Sequence, residues 1–405
     1  MSSQSPFEIT QYAGCPVALR RFQGPHAREF FLSCQPYGIA AGAEKQAASV
    51  YLALKAFLAS EGLRYESVVN ETVFLRDRMD IVPIRSARAR ALTDSEGSLH
   101  RPARAEIGQA PLNGAALEVL IHAVVPNDSP LQRASFTATT NCTCGECAAS
   151  QGLSVRAGEA TQFHASGLYG VGENAYEQTL GMFEVAEALL QKAGMDFSDV
   201  MRTWIYFPEM ERDYAGFNLA RREFFESRGI EPIPASTGIG AGLVSDQHDL
   251  CLGLYAIKAS PPIERIVMST PTLNEAPKYG SDFSRGMRVE EANRVALHIS
   301  GTASLDETGE TVHLDDFEAQ ADRMLMNVAR LLEGQGADFG DVVSAITYVK
   351  RPEDAQRMRQ KFHEAGYVGF PNVLVEAAVC RPELLCETEA FALLPRAAQT
   401  RPDVD

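Results

Sequence analysis

The sequence predicts an α+β fold in which three tandem units each place helices on one face of a sheet. A pattern of amphipathic helix, glycine and β-branched strand occurs three times along the chain. In each copy a second helix, a proline-led strand and an apolar closing strand follow. We therefore expect an internal pseudo-trimer, in which the three sheets form a central barrel-like core and the helices lie outside.

The first helix and the strand after it keep the same spacing in all copies. Each helix ends at a glycine, namely Gly62, Gly194 and Gly336. The sixth residue after each glycine is a valine, at Val68, Val200 and Val342. The twelfth is aromatic, at Phe74, Tyr206 and Tyr348. An even spacing keeps the valine and the aromatic residue on one face of a strand, which indicates a true internal repeat.

The second half of the repeat is clearest in the first two copies. Pro102 and Pro234 each lie forty residues after their glycine, and they open the related segments PARAEIG and PASTGIG. The third copy is five residues shorter here and reaches Pro371. Closing strands are predicted at 114–125, 248–259 and 383–394, and opening hairpins at 30–38, 161–170 and 295–312.

The unit boundaries follow from composition. We predict units at 1–130, 131–262 and 263–405, with a cysteine-containing linker at 131–155 in the second unit. The second boundary region, 258–282, contains four prolines. Clefts between the units are the natural places for a ligand. Because one chain supplies all three units, we expect a pseudo-trimeric monomer, or a higher homo-oligomer built from it.

Composition limits the partners. The 405 residues include 37 Lys and Arg against 53 Asp and Glu, a formal charge of −16, which disfavours nucleic acid and anionic membranes as partners. The sequence contains no apolar run long enough to span a bilayer and no signal-peptide pattern, so we expect a cytoplasmic protein. Walker A, dinucleotide-binding and HExxH motifs do not occur, so we expect no cofactor.

The repeated unit resembles the reactive-intermediate deaminase (Rid, or YjgF) family, whose fold is chorismate-mutase-like. The third copy carries the clearest signs. Phe283 and Ser284 stand where the family has a Tyr-Ser pair, ISGTAS at 299–304 matches its opening strand, and CETEA at 386–390 matches its closing strand. The resemblance covers nearly the whole chain in three pieces, and it implies ligand sites between neighbouring units.

A narrower resemblance covers residues 200–395, which are similar to a chorismatase, an enzyme that hydrolyses the enolpyruvyl ether of chorismate. The matching segments are DYAGFNLARREFF, PASTGIG, GTAS and VCRPELLCETE. The chain departs from the chorismatase pattern in the loop DETGET at 306–311 and in having a further unit in front. The expected substrate is a small anionic carboxylate.

Enol-ether hydrolysis needs a general acid that protonates the methylene carbon and cations that hold the substrate carboxylates. The resemblance implies Glu387, Arg381 and Arg285 as catalytic residues. It implies substrate contacts at Arg221, Asn218, Tyr214, Tyr279, Thr302 and His313. A Glu387 buried in an apolar cleft would have a raised pKa and keep its proton near neutral pH. Taken alone, Glu387 could also face solvent, and each arginine could be a surface charge.

Two alternatives use the same fold. The first is an enamine or imine deaminase, because Arg104 and Glu118 match the arginine and glutamate with which Rid deaminases hold the substrate carboxylate and position water. The corresponding arginine position holds Ser236 in the second copy and Val373 in the third. The second alternative is a ligand-binding member of the fold without catalysis.

Cys142, Cys144 and Cys147 form a C-x-C-x-x-C motif in the linker. Thiolates at this spacing can share a metal ion or form a redox disulfide, and they can also be incidental loop residues. Because the neighbouring sequence offers no fourth ligand, we treat the motif as a weak metal candidate and expect no metal elsewhere.

Overall fold

The computed structural model describes residues 7–127, 130–140, 142, 144, 149–276, 281–292 and 294–396. These residues form three six-stranded sheets, each built from one contiguous part of the chain. The predicted α+β fold with three similar units is thereby confirmed. The unit boundaries and the pseudo-trimeric monomer stay predictions.

The first sheet has the strand order β1-β2-β3-β6-β4-β5. Its strands are β1 (Phe7–Tyr12), β2 (Cys15–Gln23), β3 (Ala27–Cys34), β4 (Val68–Leu75), β5 (Ala103–Ile107) and β6 (Leu117–Pro126). Its helices are α1 (Ala43–Ser60) and α2 (Ile81–Leu92). Strands β4 and β5 are parallel and the other neighbouring pairs are antiparallel.

The second sheet repeats this order as β7-β8-β9-β12-β10-β11. Its strands are β7 (Gln132–Thr139), β8 (Ala149–Ala157), β9 (Ala160–Leu168), β10 (Val200–Phe207), β11 (Ala235–Gly240) and β12 (Cys251–Ala259). Its helices are α3 (Ala175–Lys192) and α4 (Met210–Arg228).

The third sheet has the order β13-β14-β15-β18-β16-β17. Its strands are β13 (Glu264–Val267), β14 (Gly286–Glu290), β15 (Arg294–Ala303), β16 (Val342–Val349), β17 (Asn372–Glu376) and β18 (Cys386–Pro395). Its helices are α5 (Phe317–Glu333) and α6 (Ala355–Glu364). None of the helices within the described residues is both long and apolar enough to cross a lipid bilayer.

The three repeat glycines have a local structural reason. Gly62, Gly194 and Gly336 follow the ends of α1, α3 and α5 with φ values of 70°, 74° and 73°. This left-handed conformation costs little only for glycine, so it ends each helix and turns the chain toward the next strand. The spacing seen in the sequence therefore records a conformational requirement that each unit meets in the same way.

Six aromatic rings close the three sheets around a common axis, and we call them the axial ring. It consists of Phe31, His122, His164, Tyr255, His298 and Phe391. Neighbouring ring centroids are 4.5, 5.6, 5.0, 5.1, 4.6 and 5.7 Å apart around the complete circuit. Each sheet contributes two adjacent rings, one from its third strand and one from its sixth, which gives the core its pseudo-threefold symmetry.

Isolated backbone bridges join the units at their sheet edges. Gly108 pairs with Gly242 between the first two units, and Ala235 pairs with Ser284 between the second and third. Pro111 pairs with Val375 between the first and third units. The edge strands β5, β11 and β17 therefore each approach a neighbouring unit.

Candidate active site between the second and third units

The walls of this cleft are held together by hydrogen bonds between β11 and the third sheet. The backbone N–H of Ser236 donates to Ser300 Oγ at 2.9 Å, and the N–H of Gly301 donates to Thr237 Oγ1 at 2.8 Å. Ser300 Oγ in turn donates to the carbonyl of Ser284 at 2.6 Å. These bonds fix β11 against β15 and therefore set the width of the cleft.

Two carboxyl groups project from the same face of β18. Glu387 and Glu389 are two residues apart, so strand alternation points them the same way. Glu389 accepts hydrogen bonds from Arg202 Nη2 at 2.8 Å, from Trp204 Nε1 at 2.7 Å and from the Tyr348 hydroxyl at 3.2 Å. The Glu389 carboxylate is thus held by a buried ion pair and by two neutral hydrogen-bond donors.

Glu387 has a different environment from Glu389. It is 4% exposed, and burial together with the negative charge of Glu389 raises its pKa to about 8, although Arg202 and Arg285 oppose the shift. A carboxyl group with such a pKa carries its proton at neutral pH. The arrangement therefore places a buried proton donor beside a second carboxyl group that is paired with Arg202, and neighbouring carboxyl groups in different environments are typical of acid–base sites.

Gly301 makes room for the Glu387 carboxyl group. A methyl group at Gly301 would lie 2.8 Å from Glu387 Cδ, closer than real contacts allow, and 3.0 Å from Thr237 Cγ2, which is an unusually tight contact. Gly301→Ala should therefore displace the carboxyl group and reduce turnover, by the roughly 100-fold typical of a misplaced reacting group. Steady-state rates checked against the thermal midpoint measure this effect. An alanine variant with the wild-type rate would mean that the Glu387 position does not matter.

Two arginines line the outer part of the cleft. The guanidinium carbons of Arg285 and Arg221 lie 5.5 and 5.9 Å from the centre of the Phe283 ring. Arg221 also donates to Asn218 Oδ1 at 2.6 Å, while Arg285 Nε donates to the carbonyl of Asn274 at 2.9 Å. Both arginines are almost fully buried, so their charges act in a medium of low dielectric.

Other residues of the chorismatase-like set lie near this pair. Tyr214 is hydrogen-bonded to Ser281 and Asn218, and burial raises its pKa. Burial also raises the pKa of the Cys380 thiol to about 12, with Glu387 adding to the shift and Arg381 and Arg285 opposing it. The structure therefore places Arg285 within electrostatic reach of Glu387, with Arg221, Asn218 and Tyr214 around the neighbouring Phe283, at the boundary between the second and third units.

The hydrogen bonds of two other residues of that set, Arg381 and Thr302, go to groups other than Glu387. Arg381 Nη1 donates to Thr311 Oγ1 at 3.3 Å. Thr302 pairs in register with Thr388, which puts it on the face of the sheet opposite Glu387, and its hydroxyl donates to the carbonyl of Ser300. His313 is exposed with φ of 62°. Tyr279 lies outside the described residues.

The deaminase-like pair does not share a cleft. Arg104 donates to Glu71 Oε1 at 2.9 Å and lines a cavity with Tyr169 and Cys251 of the second unit. Glu118 accepts from Ser33 Oγ at 2.6 Å and is influenced by the charge of Arg359 in the third unit. Each cleft takes its arginine position from one unit and its glutamate position from the next, so Arg104 and Glu118 face different neighbours.

Two residues beside the site were not predicted from the sequence. Arg202 and Trp204 lie on β10, and their side chains reach Glu389 across the unit boundary. The signal that could have found them is a single arginine inside the apolar strand VMRTWIYF, because a buried charge requires a partner. The partner itself lies 187 residues away in the sequence and is visible only in three dimensions.

Parts of the chain match known proteins. The Endoribonuclease L-PSP family matches residues 274–394. A RutC family protein of Pyrococcus abyssi is 31% identical over 120 residues, which are 29% of this chain and 91% of that protein. A chorismatase of Streptomyces rapamycinicus is 28% identical over 223 residues, or 48% of this chain. The chain spans 64% of the length of that chorismatase.

A solved structure supports the overall fold. A chorismatase crystal structure superposes with a TM-score of 0.58 over 81% of this chain and 93% of its own, at 19% identity. The superposition covers more of the chain than any single unit, so the likeness in fold is not limited to one of them. The predicted resemblance to Rid proteins, with a chorismatase-like second and third unit, is confirmed by these matches.

Proposed function

Because the chain belongs to the Rid/YjgF (RutC) family, we propose that it is a cofactor-independent hydrolase of the chorismatase-like branch. It would cleave the enol ether of a small carboxylated substrate, such as chorismate, between its second and third units. One observation supports the proposal: Glu387, a buried carboxyl group with a pKa of about 8, lies within electrostatic reach of Arg285, and Arg285 and Arg221 both lie beside Phe283.

The reaction follows from these groups. Protonated Glu387 gives its proton to the methylene carbon of the enol ether, and an oxocarbenium ion forms at the neighbouring carbon. Water adds to that carbon, and the proton which the water loses restores Glu387. The resulting hemiketal breaks its bond to the ring oxygen and releases pyruvate and the ring alcohol. The cycle returns Glu387 to its protonated form, so the proposed reaction proceeds without a cofactor.

The arginines provide the positive charges that bind the substrate carboxylates. A substrate with two carboxylates needs fixed cations, and guanidinium groups bind carboxylates through paired hydrogen bonds. Arg285 and Arg221 both lie close to the Phe283 ring, and the proposal assigns one substrate carboxylate to each of them. Asn218 accepts a hydrogen bond from Arg221, and Tyr214 is in turn hydrogen-bonded to Asn218.

The first test is incubation of the purified chain with chorismate while a coupled assay follows pyruvate. Pyruvate release supports the proposed hydrolase. Trp204, the only tryptophan of the chain, contacts Glu389 and reports binding through its fluorescence. Binding without release would favour a ligand-binding protein, and the absence of both would exclude chorismate as the substrate.

The pH dependence has a definite sign. Glu387 acts in its protonated form, so kcat/KM should be level near neutral pH and fall about tenfold per pH unit above about pH 8. Rate measurements across that range check this expectation. A rate that increases through pH 8 would identify the working group as a base.

The same proton affects stability. The pKa of Glu387 in the folded chain is raised, so the stabilisation from its proton is complete at acidic pH and is lost as the pH rises through about 8. In Glu387→Gln this loss is absent. The free energy of unfolding of the variant should therefore exceed that of wild type increasingly from about pH 5 to about pH 8.

Imine hydrolysis is a second candidate, because Glu118 is buried with a pKa raised to about 7. It accepts hydrogen bonds from Ser33, Gln35 and Asn113, and these bonds together with the charge of Arg359 oppose the effect of burial. This glutamate could orient water in the cleft between the first and third units. Hydrolysis of 2-iminopropionate that is lost in Glu118→Gln but not in Arg104→Ala would support a site in this cleft.

A further inference from the structure

We propose that Cys142, Cys144 and His248 bind a zinc ion that joins two loops of the second unit. Cys142 and Cys144 lie between β7 and β8, while His248 lies between β11 and β12. The ligand atoms of all three residues lie within 4.8 Å of one another. Cys147, the third cysteine of the motif, lies outside the described residues, and the proposal rests on the three ligands named.

The distances fit a tetrahedral zinc site. Cys142 Sγ lies 3.3 Å from His248 Nε2, and Cys144 Sγ lies 3.6 Å from the same atom. Zinc binds thiolate sulfur at about 2.3 Å and imidazole nitrogen at about 2.0 Å, so tetrahedral geometry separates sulfur from nitrogen by about 3.5 Å. Both separations are close to this value, as expected if one ion binds the nitrogen and both sulfur atoms.

Hydrogen bonding alone accounts poorly for the cluster. His248 Nδ1 lies 3.1 Å from the carbonyl oxygen of Gly170, which can only accept, so Nδ1 carries the hydrogen in the neutral ring. Nε2 then has one lone pair, and only one thiol could donate to it. Two sulfur atoms converge on that lone pair, whereas a metal ion would use the nitrogen and both sulfurs together.

The surroundings have the features of a protein metal site. A backbone carbonyl that holds the second ring nitrogen is the usual way to orient a metal-bound histidine. The Tyr169 ring packs on the imidazole with centroids 4.7 Å apart, which fixes its plane. His248 is 6% exposed, and the two cysteines are half-buried against the apolar core.

The role that fits this position is structural. The ion would link the end of the β7–β8 hairpin to the loop before β12, two segments about a hundred residues apart. Tyr169 also lines the cleft between the first and second units together with Arg104 and Cys251. Zinc would therefore hold one wall of that cleft in place, independently of the acid site between the second and third units.

The test is the metal content of the full-length protein, purified with zinc and then freed of loosely bound ions. We expect about one zinc per chain. Replacing zinc with Co²⁺ should produce a near-ultraviolet charge-transfer band from thiolate ligands. Cys142→Ala, Cys144→Ala and His248→Ala should each weaken binding by more than the roughly 10- to 100-fold that loss of a second-shell partner costs.

Two matched variants serve as controls. Cys15→Ala removes a buried thiol in β2, and His363→Ala removes an exposed imidazole in α6, so both should keep one zinc per chain. If a ligand variant fails to fold, the wild-type stoichiometry and cobalt spectrum still decide the proposal. Wild-type protein without bound zinc, a cobalt complex without thiolate bands, or zinc retained in all three ligand variants would each overturn it.

Discussion

Glu387→Gln is expected to lower kcat for enol-ether hydrolysis by about 10²- to 10⁴-fold, the usual contribution of a positioned general acid. Glutamine has the same shape and can occupy the space beside Gly301, but it has no acidic proton to transfer to carbon. Substrate binding should survive, because the arginine wall is unchanged. Turnover by the pyruvate assay and binding by Trp204 fluorescence separate the two effects.

A matched control substitution tests whether the loss of rate is specific to the position of Glu387. Glu211 is exposed on α4, and Glu211→Gln makes the same change of side chain away from the site, so its rate should equal that of wild type. Glu118→Gln makes the same chemical change in the cleft between the first and third units. A rate that falls for Glu118→Gln and stays unchanged for Glu387→Gln would move the acid to that cleft.

Glu389→Ala is expected to destabilise the fold by about 3–5 kcal/mol, the cost of leaving a buried charge without its partner. Arg202 is 2% exposed, and its Nη1 has no hydrogen-bond partner within the described part of the chain. The variant would remove the carboxylate that compensates Nη2, together with the acceptor of Trp204 and Tyr348. Urea unfolding followed by tryptophan fluorescence measures the change.

The control for this prediction is an exposed ion pair. Arg330 and Glu333 are both about half exposed, so Glu333→Ala should change the free energy of unfolding by no more than about 1 kcal/mol. If both variants shift the unfolding midpoint equally, the buried ion pair of Arg202 with Glu389 stabilises the fold no more than an exposed pair does.

Glu389→Gln adds a catalytic readout, since loss of this negative charge should lower the Glu387 pKa and move the alkaline fall in rate to lower pH.

The repeat could be predicted from the sequence because each copy depends on local conformational requirements. A glycine in the left-handed region and a strand with one apolar face leave signals within twenty residues of each other, and Gly62, Gly194 and Gly336 all show them. The placement of Arg104 and Glu118 was not predictable in the same way. Their separation depends on which neighbour each strand edge meets, which is a property of the assembled ring.

Side-chain partners that are distant in the sequence could not be predicted either. Arg202 in an apolar strand signals a buried partner, but nothing nearby in the sequence points to Glu389. His248 likewise lies more than a hundred residues from the cysteines it approaches. In both cases the sequence pattern pointed to one residue of an interacting pair, and its partner was identified only from the three-dimensional structure.

The closure of the axial ring by a single chain has an evolutionary consequence. Glu118, Cys251 and Glu387 stand opposite Phe74, Tyr206 and Tyr348 in their sheets, so they occupy equivalent positions. In a trimer of identical subunits one mutation alters all three such positions together. Here a single codon alters one of them, so one cleft can specialise while the other two keep their residues, and selection can act on each cleft as a separate trait.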